Sequence, residues 1–218
     1  MRTCVLILSV CLFGCSAPTI QSYTVYEDPT AFVRLEFAPN VQREKPDTWN
    51  THPAIISLED MVKVLSGLQV REHRPNILKP LFNKIFDPPT VIPAFRKHEI
   101  ALLGPQLIEA FDKAVPEEIV TFYVSTPVNS VTREVTSGGL YVRNNKLHVI
   151  LSNHQTVYGI PAFGLLYDRR HPTYSLAPRG FDLTYIDSEA FMTRPSKFSD
   201  QIFGQFSDDE IIIDLQKV

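Results

Sequence analysis

Beyond residue 15 the chain has no cysteine at all: Cys4, Cys11 and Cys15 are its complete set. No disulfide can therefore form within the larger part of the molecule, and its stability must come from an ordinary core. After the first fifteen residues no apolar run approaches the ~18 residues that a membrane-spanning helix needs. A basic excess is missing too, with 21 Lys and Arg against 24 Asp and Glu, which argues against nucleic acid as a partner. Internal repeats and low-complexity tracts are absent. With 44% hydrophobic residues, the composition is that of a globular chain and not a disordered one.

What is present begins at the first residues. Met1-Arg2 supplies one positive charge, and Cys4 to Phe13 is apolar apart from Ser9. A run of about ten residues falls within the ~7–15 of a signal-peptide core. A buried helix of the same length would explain neither the leading arginine nor the abrupt polar composition after Cys15.

The run closes on Leu12-Phe13-Gly14-Cys15. This resembles the lipobox of bacterial lipoprotein precursors: an aliphatic residue, a second residue, a small one, then cysteine. Small Gly14 lets the backbone enter a peptidase site, and the Cys15 thiol is the atom that would take a diacylglyceryl group. The resemblance implies cleavage between Gly14 and Cys15 and a mature chain held to a membrane by acyl chains on Cys15. It also implies a cell-envelope location. Ser16 stands where aspartate tends to retain such proteins in the inner membrane of two-membrane bacteria, which points to the periplasmic face of the outer membrane. Loss of Arg2 with the leader would leave 20 basic against 24 acidic residues.

The expected organisation is a leader over 1–14, a lipidated N-terminus and tether over 15–30, and one α+β domain over 31–218. Ala31–Phe37 alternates, with Val33, Leu35 and Phe37 on one face, as a half-buried strand does. Pro39 and Pro46 bracket a polar loop. Ser57-Leu-Glu-Asp60 reads as a helix start, with Leu58, Met61, Val62 and Leu65 sharing a face and Gly67 as the stop. Five prolines between 75 and 93 allow only a short helix there. Ile100, Leu103, Leu107, Phe111 and Ala114 keep helical spacing, and Gly104-Pro105 predicts a kink or two abutting helices. Ile119–Ser125 reads as a strand.

Leu140–Leu151 carries the clearest local signal. Asn144-Asn145 suits a tight turn, and pairing across it sets Val142 against Leu147, Leu140 against Val149 and Gly138 against Leu151 on one apolar face. The reading is a hairpin over about 136–152, with two or three helices packed on one face of a mainly antiparallel sheet. Beyond Tyr158 the pattern weakens until Glu210–Leu215, where three consecutive isoleucines suggest a strand buried on both faces.

Candidate chemistry is sparse. The six histidines (His52, His73, His98, His148, His154, His171) lack zinc-hydrolase spacing. His148, opposite Tyr141, reads as a surface residue; His154 is either a loop residue or a general base. Ser137-Gly138-Gly139 lacks the glycine–serine–glycine pattern of a nucleophile elbow and reads as a bulge or a close backbone approach. Asp168-Arg169-Arg170-His171 is a small basic spot suited to lipid headgroups or a sugar phosphate, or an exposed turn before Pro172. Glu117 and Glu118 point apart and do not make an acid–base pair. No catalytic, metal or cofactor residue is assigned. The expectation is a non-enzymatic envelope lipoprotein whose partners are the membrane, through Cys15, and other envelope proteins. The alternatives are a carrier or sensor for a lipid or small ligand, with region 158–206 lining the pocket, and a hydrolase assembled from distant residues.

Overall fold

The computed structural model describes residues 22–39, 41–72, 91–159, 169–177, 180–187, 189–193 and 210–218. Gly14, Cys15 and the expected leader lie outside the described residues, as do the proline-rich stretch up to residue 90, His73, and most of 158–206. The architecture is α+β with a mainly antiparallel sheet.

The elements, in chain order, are β1 (Ser22–Glu27), β2 (Ala31–Phe37), α1 (Leu58–Gly67), β3 (Leu68–Glu72), β4 (Val91–Pro93), α2 (Lys97–Lys113), β5 (Glu118–Pro127), β6 (Thr132–Arg143), β7 (Lys146–Gly159), β8 (Phe181–Tyr185), β9 (Phe191–Thr193) and β10 (Glu210–Asp214). A short 3₁₀ turn spans Pro46–Thr48. Seven strands form one sheet in the order β1-β2-β5-β6-β7-β10-β9, and β4-β3-β8 form a second.

The tether expected over 15–30 is corrected at its C-terminal end, since Ser22–Glu27 is an edge strand. It pairs Tyr23 with Leu35 and Tyr26 with Val33, through a bulge at Val25. The turn to β2 is closed by the Asp28 carboxylate, which accepts from the Thr30 and Ala31 amides at 2.6 and 2.7 Å. The Tyr26 hydroxyl first, and then those bonds, hold the Asp28 carboxyl down at about 2. Pro18, Pro29 and the polar composition between them masked a strand that needs only one apolar side.

Helix α1 starts where Ser57 Oγ accepts from the Asp60 amide at 3.0 Å, satisfying one of the free first-turn donors. Its buried stripe is Met61, Val64 and Leu65, rotated from the expected one, and Leu58 and Val62 stay 50% and 37% exposed along the rim above Gly104. Gly67 permits a close approach: a Cβ there would sit 2.5 Å from the Tyr185 ring of β8. In α2 the alternative of two abutting helices at Gly104-Pro105 is corrected to one continuous helix from Lys97 to Lys113. Pro105 and Ala101, whose carbonyl loses its partner, both face solvent, so water can take the unmet acceptor.

In the β6–β7 hairpin Val142 pairs with Leu147, Leu140 with Val149 and Gly138 with Leu151, around Asn144 and Asn145 at φ 52° and 60°. The strands run further than 136–152, because two bulges in β7 let the ladder continue to Thr132 and Gly159. The first bulge drives the Ile150 carbonyl towards β6. A Cβ on Gly138 would lie 2.0 Å from that oxygen, so only glycine fits. The second leaves Gln155 at φ 47°.

One face of the large sheet carries the main apolar core. Val33, Leu35, Val120, Phe122, Leu140, Val142, Leu147, Val149, Ile211 and Ile213 join Met61, Leu65, Leu103, Leu107 and Phe111 of the helices in one cluster. The isoleucine run divides accordingly: Ile211 and Ile213 are buried on this face and Ile212 is half-buried on the other.

Candidate functional site

The polar groups gather on the opposite face. Register places Phe32, Arg34 and Glu36 of β2 beside Tyr123, Thr121 and Ile119 of β5. Next come Ser137, Gly139 and Tyr141 of β6, then Asn153, Ile150 and His148 of β7. Loops cover both ends of this face. Residues 38–50 cross one end, where Ala38 and Val41 pack on Ile119 and Tyr141. Residues 169–177 cross the other as a strap.

Three polar groupings hold that face together. The Tyr141 hydroxyl donates to Glu210 Oε1, the same oxygen lies 2.6 Å from His148 Nδ1, and the tyrosine and histidine rings stack at 4.4 Å. An ionised carboxylate accepts only, so with Glu210 in that form the imidazole meets it through an Nδ1 proton. Asn153 is fully buried and donates to Ser137 Oγ and to the Tyr174 carbonyl, both at 2.9 Å, while accepting from the Tyr158 hydroxyl at 2.6 Å. Ser137 in turn donates to the Pro172 carbonyl at 2.7 Å, which pins the strap. At the third, the Arg34 guanidinium lies 4.0 Å over Phe32, and Arg169 lies 4.9 Å over Tyr123. Phe32 and Tyr123 stack on one another at 5.3 Å, and Glu27 faces both arginines at 2.9 and 3.9 Å.

Glu36, next along β2, has its carboxyl pushed up to about 7 by burial, against the opposing pull of the Thr121 hydroxyl and Arg34. One of its oxygens is buried without a hydrogen-bond partner. On the apolar face, His52 accepts from the Val142 amide at 3.1 Å, and burial lowers its pKa to about 4.

His154 is neither in a loop nor at the surface. It sits in the second β7 bulge on the helix side of the sheet, 8% exposed and edge-on to Phe181 at 5.7 Å. Burial lowers its pKa, while a bond to the Pro93 carbonyl and the charges of Glu72 and Glu134 pull the other way. Its Nε2 has no partner. The neighbouring Arg96–Glu134 pair closes at 2.6 Å. A neutral imidazole there offers a lone pair to an N–H or O–H donor.

Several sequence readings change in this light. The reading of His148 as a surface residue is corrected: its side chain is 12% exposed, covered by Glu210 from the neighbouring strand. Arg169 is not simply an exposed turn residue, since its guanidinium packs on the Phe32–Tyr123 stack, while Arg170 and His171 stay exposed. Ser137 is buried at 0% and spent on the strap. Glu118 bonds the Val115 amide at 3.0 Å in a turn. Glu36, Glu210, Asn153 and Tyr158 were not singled out by the sequence; the only signal for Asn153 was its place in a polar stretch inside a strand. Among the described residues no cluster of three metal-type side chains occurs. Compared with known proteins, the chain matches no family model, no curated protein and no solved structure.

Proposed function

We propose that the protein is an envelope lipoprotein: a domain tied to a membrane through acyl chains on Cys15 that binds other envelope components and performs no catalysis of its own. The observation that carries this reading is the N-terminal pattern, a charged start and a short apolar run ending Leu12-Phe13-Gly14-Cys15, with no later cysteine. The internal pairing of the second sheet face supports a binding role. Tyr141, His148, Ser137 and Asn153 lie beneath the covering loops and bond to neighbouring groups of the same chain, which fixes those loops as the rigid outer surface that a partner would meet. The long hairpin and the helices behind it would serve as the rigid body that the anchor holds. Ser16 supports the outer membrane's periplasmic face as the destination.

Mass spectrometry of the membrane-extracted protein tests the anchor: the expected mature N-terminus is Cys15 carrying a diacylglyceryl thioether. Cys15→Ala should leave an unprocessed or detached chain, and Cys4→Ala should change nothing. A mature chain beginning elsewhere, or found wholly in the soluble fraction, rejects the reading. Density-gradient separation then assigns the membrane, and crosslinking in the native envelope identifies the binding partner.

A further inference from the structure

The place where the chain enters the sheet has a composition of its own. Ser22, the first described residue, opens β1 at the end where β2 finishes and β5 begins, opposite Glu36. Five apolar side chains from different segments lie around this end, four of them open to solvent. Tyr23 of β1 is 54% exposed, Phe37 at the end of β2 46%, Val115 after α2 46%, and Ile55 98%; Trp49 is half-buried. Backbone bonds bring their segments together. The Asn50 amide donates to the Pro116 carbonyl at 3.0 Å, and the Ala54 amide to Phe111 at 3.0 Å in the last turn of α2. Isoleucine almost fully in water is costly, with about 25 cal/mol per Å² of apolar surface left wet.

We infer that this end of the domain is a membrane-docking surface, whose aromatic and aliphatic side chains rest in the interfacial region of the bilayer that holds the anchor. The inference rests on lipidation at Cys15. Seven residues separate Cys15 from Ser22 in sequence number, so their Cα atoms are at most about 25 Å apart even fully extended. Strand β5 carries the opposite end of the sheet a further 30 Å or so away. Tyrosine and tryptophan, with an apolar body and a polar tip, suit the headgroup layer. Arg43, Glu44, Lys45 and Asp47 alternate in sign along the same rim. The contact is therefore apolar in origin and insensitive to salt, unlike a polybasic attachment. The far half exposes apolar groups too, Val128, Val131 and Val157 at its end and Tyr174 and Leu176 on the strap, but these lie beyond the anchor's side of the sheet.

Trp49 is the single tryptophan of the chain and reports directly. The full lipidated protein is reconstituted in vesicles of phosphatidylethanolamine and phosphatidylglycerol, with and without bromine on the acyl chains. Trp49 emission should fall about twofold in brominated vesicles, equally at low and high salt. With Trp49→Phe and Val128→Trp combined, the far-end reporter should keep its emission. Replacing the exposed Phe37 and Ile55 by serine should weaken the Trp49 quenching while the protein still floats with the vesicles. Unquenched Trp49 in a floating protein with lipid on Cys15, a quenched reporter at 128, or unaltered quenching in the serine variant overturns the docking surface and leaves the anchor standing. Absence of lipid on Cys15 brings down both.

Discussion

The two faces of the seven-stranded sheet are both covered, yet by different chemistry. On one, aliphatic and phenyl side chains meet two helices, and the contact is apolar and indifferent to direction. On the other, loops lie across Tyr141, Ser137, Asn153 and Glu210, each engaged in hydrogen bonds. An apolar face tolerates small shifts, because dispersion and water exclusion vary gradually with position. A buried polar face does not: each donor must find its acceptor or incur a desolvation cost of about 1–3 kcal/mol. The second face therefore fixes the position of its covering loops more sharply than the first fixes its helices.

The largest expected effects test whether the second face is a true interior. Val142→Asp puts an unpaired charge into the helix-side core and should cost on the order of 4 kcal/mol or more. Tyr141→Asp should be nearly as severe, because Tyr141 is 3% exposed and a second carboxylate would face Glu210. From the sequence pattern alone the tyrosine side looks solvated and the change mild. Urea melts of both variants decide it; a cost below about 1 kcal/mol for Tyr141→Asp would show that the loop cover is superficial.

Adjacent glycines give the next contrast. Gly138→Ala forces a methyl against the Ile150 carbonyl, which belongs to the ladder and cannot withdraw, so a loss of about 3 kcal/mol is expected. Gly139→Ala meets the tips of the Ile119 and Thr173 side chains at 2.8 and 3.2 Å, which can turn aside, for about 1 kcal/mol. Equal losses in thermal unfolding would mean that the β7 bulge is softer than its geometry implies.

A smaller effect separates the polar groupings from simple packing. Tyr141→Phe keeps the ring on His148 and removes only the hydroxyl, leaving Glu210 with one donor fewer. It should cost about 1–2 kcal/mol. In the Glu210→Gln background the same substitution should cost less, since the charged acceptor has gone, and a double-mutant cycle reads the difference as coupling. Additive losses would mean that the shared oxygen carries no cooperative strength.

The strands and helices that bury one side were legible because alternation and helical spacing report which residues meet a core: Val33 and Leu35, Leu103 and Leu107. Ser57 was legible because a cap is a local matter. What escaped has a common cause. Edge strand β1 needs one apolar side only, and its Tyr23 and Tyr26 alternate out of step across a bulge. Pro105 looked like a breaker, but whether a proline breaks a helix depends on what surrounds the orphaned carbonyl, and here that is solvent. His148 reads as a surface residue, and Glu210 and Asn153 draw no notice, because a pattern of polar side chains records one face as polar without saying what lies over it. Glu210 reaches His148 across 62 positions, a contact that no local signal encodes.

The smallest effect expected is a change of slope, from two buried groups of opposite charge type. Burial raises the Glu36 carboxyl from 4.5 to about 7, so between those values the folded chain holds a proton that the unfolded chain has lost, and stability falls as pH rises. Burial lowers His52 from 6.5 to about 4, so there the unfolded chain holds the extra proton, and stability rises with pH. Across roughly pH 4.5–6.5 the two oppose one another, and their sum is nearly flat. Glu36→Gln removes the falling limb alone. Its unfolding free energy should climb from pH 4.5 to 6.5, helped by His154, whose pKa burial also lowers. Near pH 8 the variant should exceed the parent by about 1 kcal/mol, a discounted figure because water reaches part of the Glu36 side chain. Urea melts at half-unit steps from pH 4.5 to 8 measure both curves. If they run parallel throughout, Glu36 titrates as a solvated carboxylate, and the second face is open to water at the β2 end.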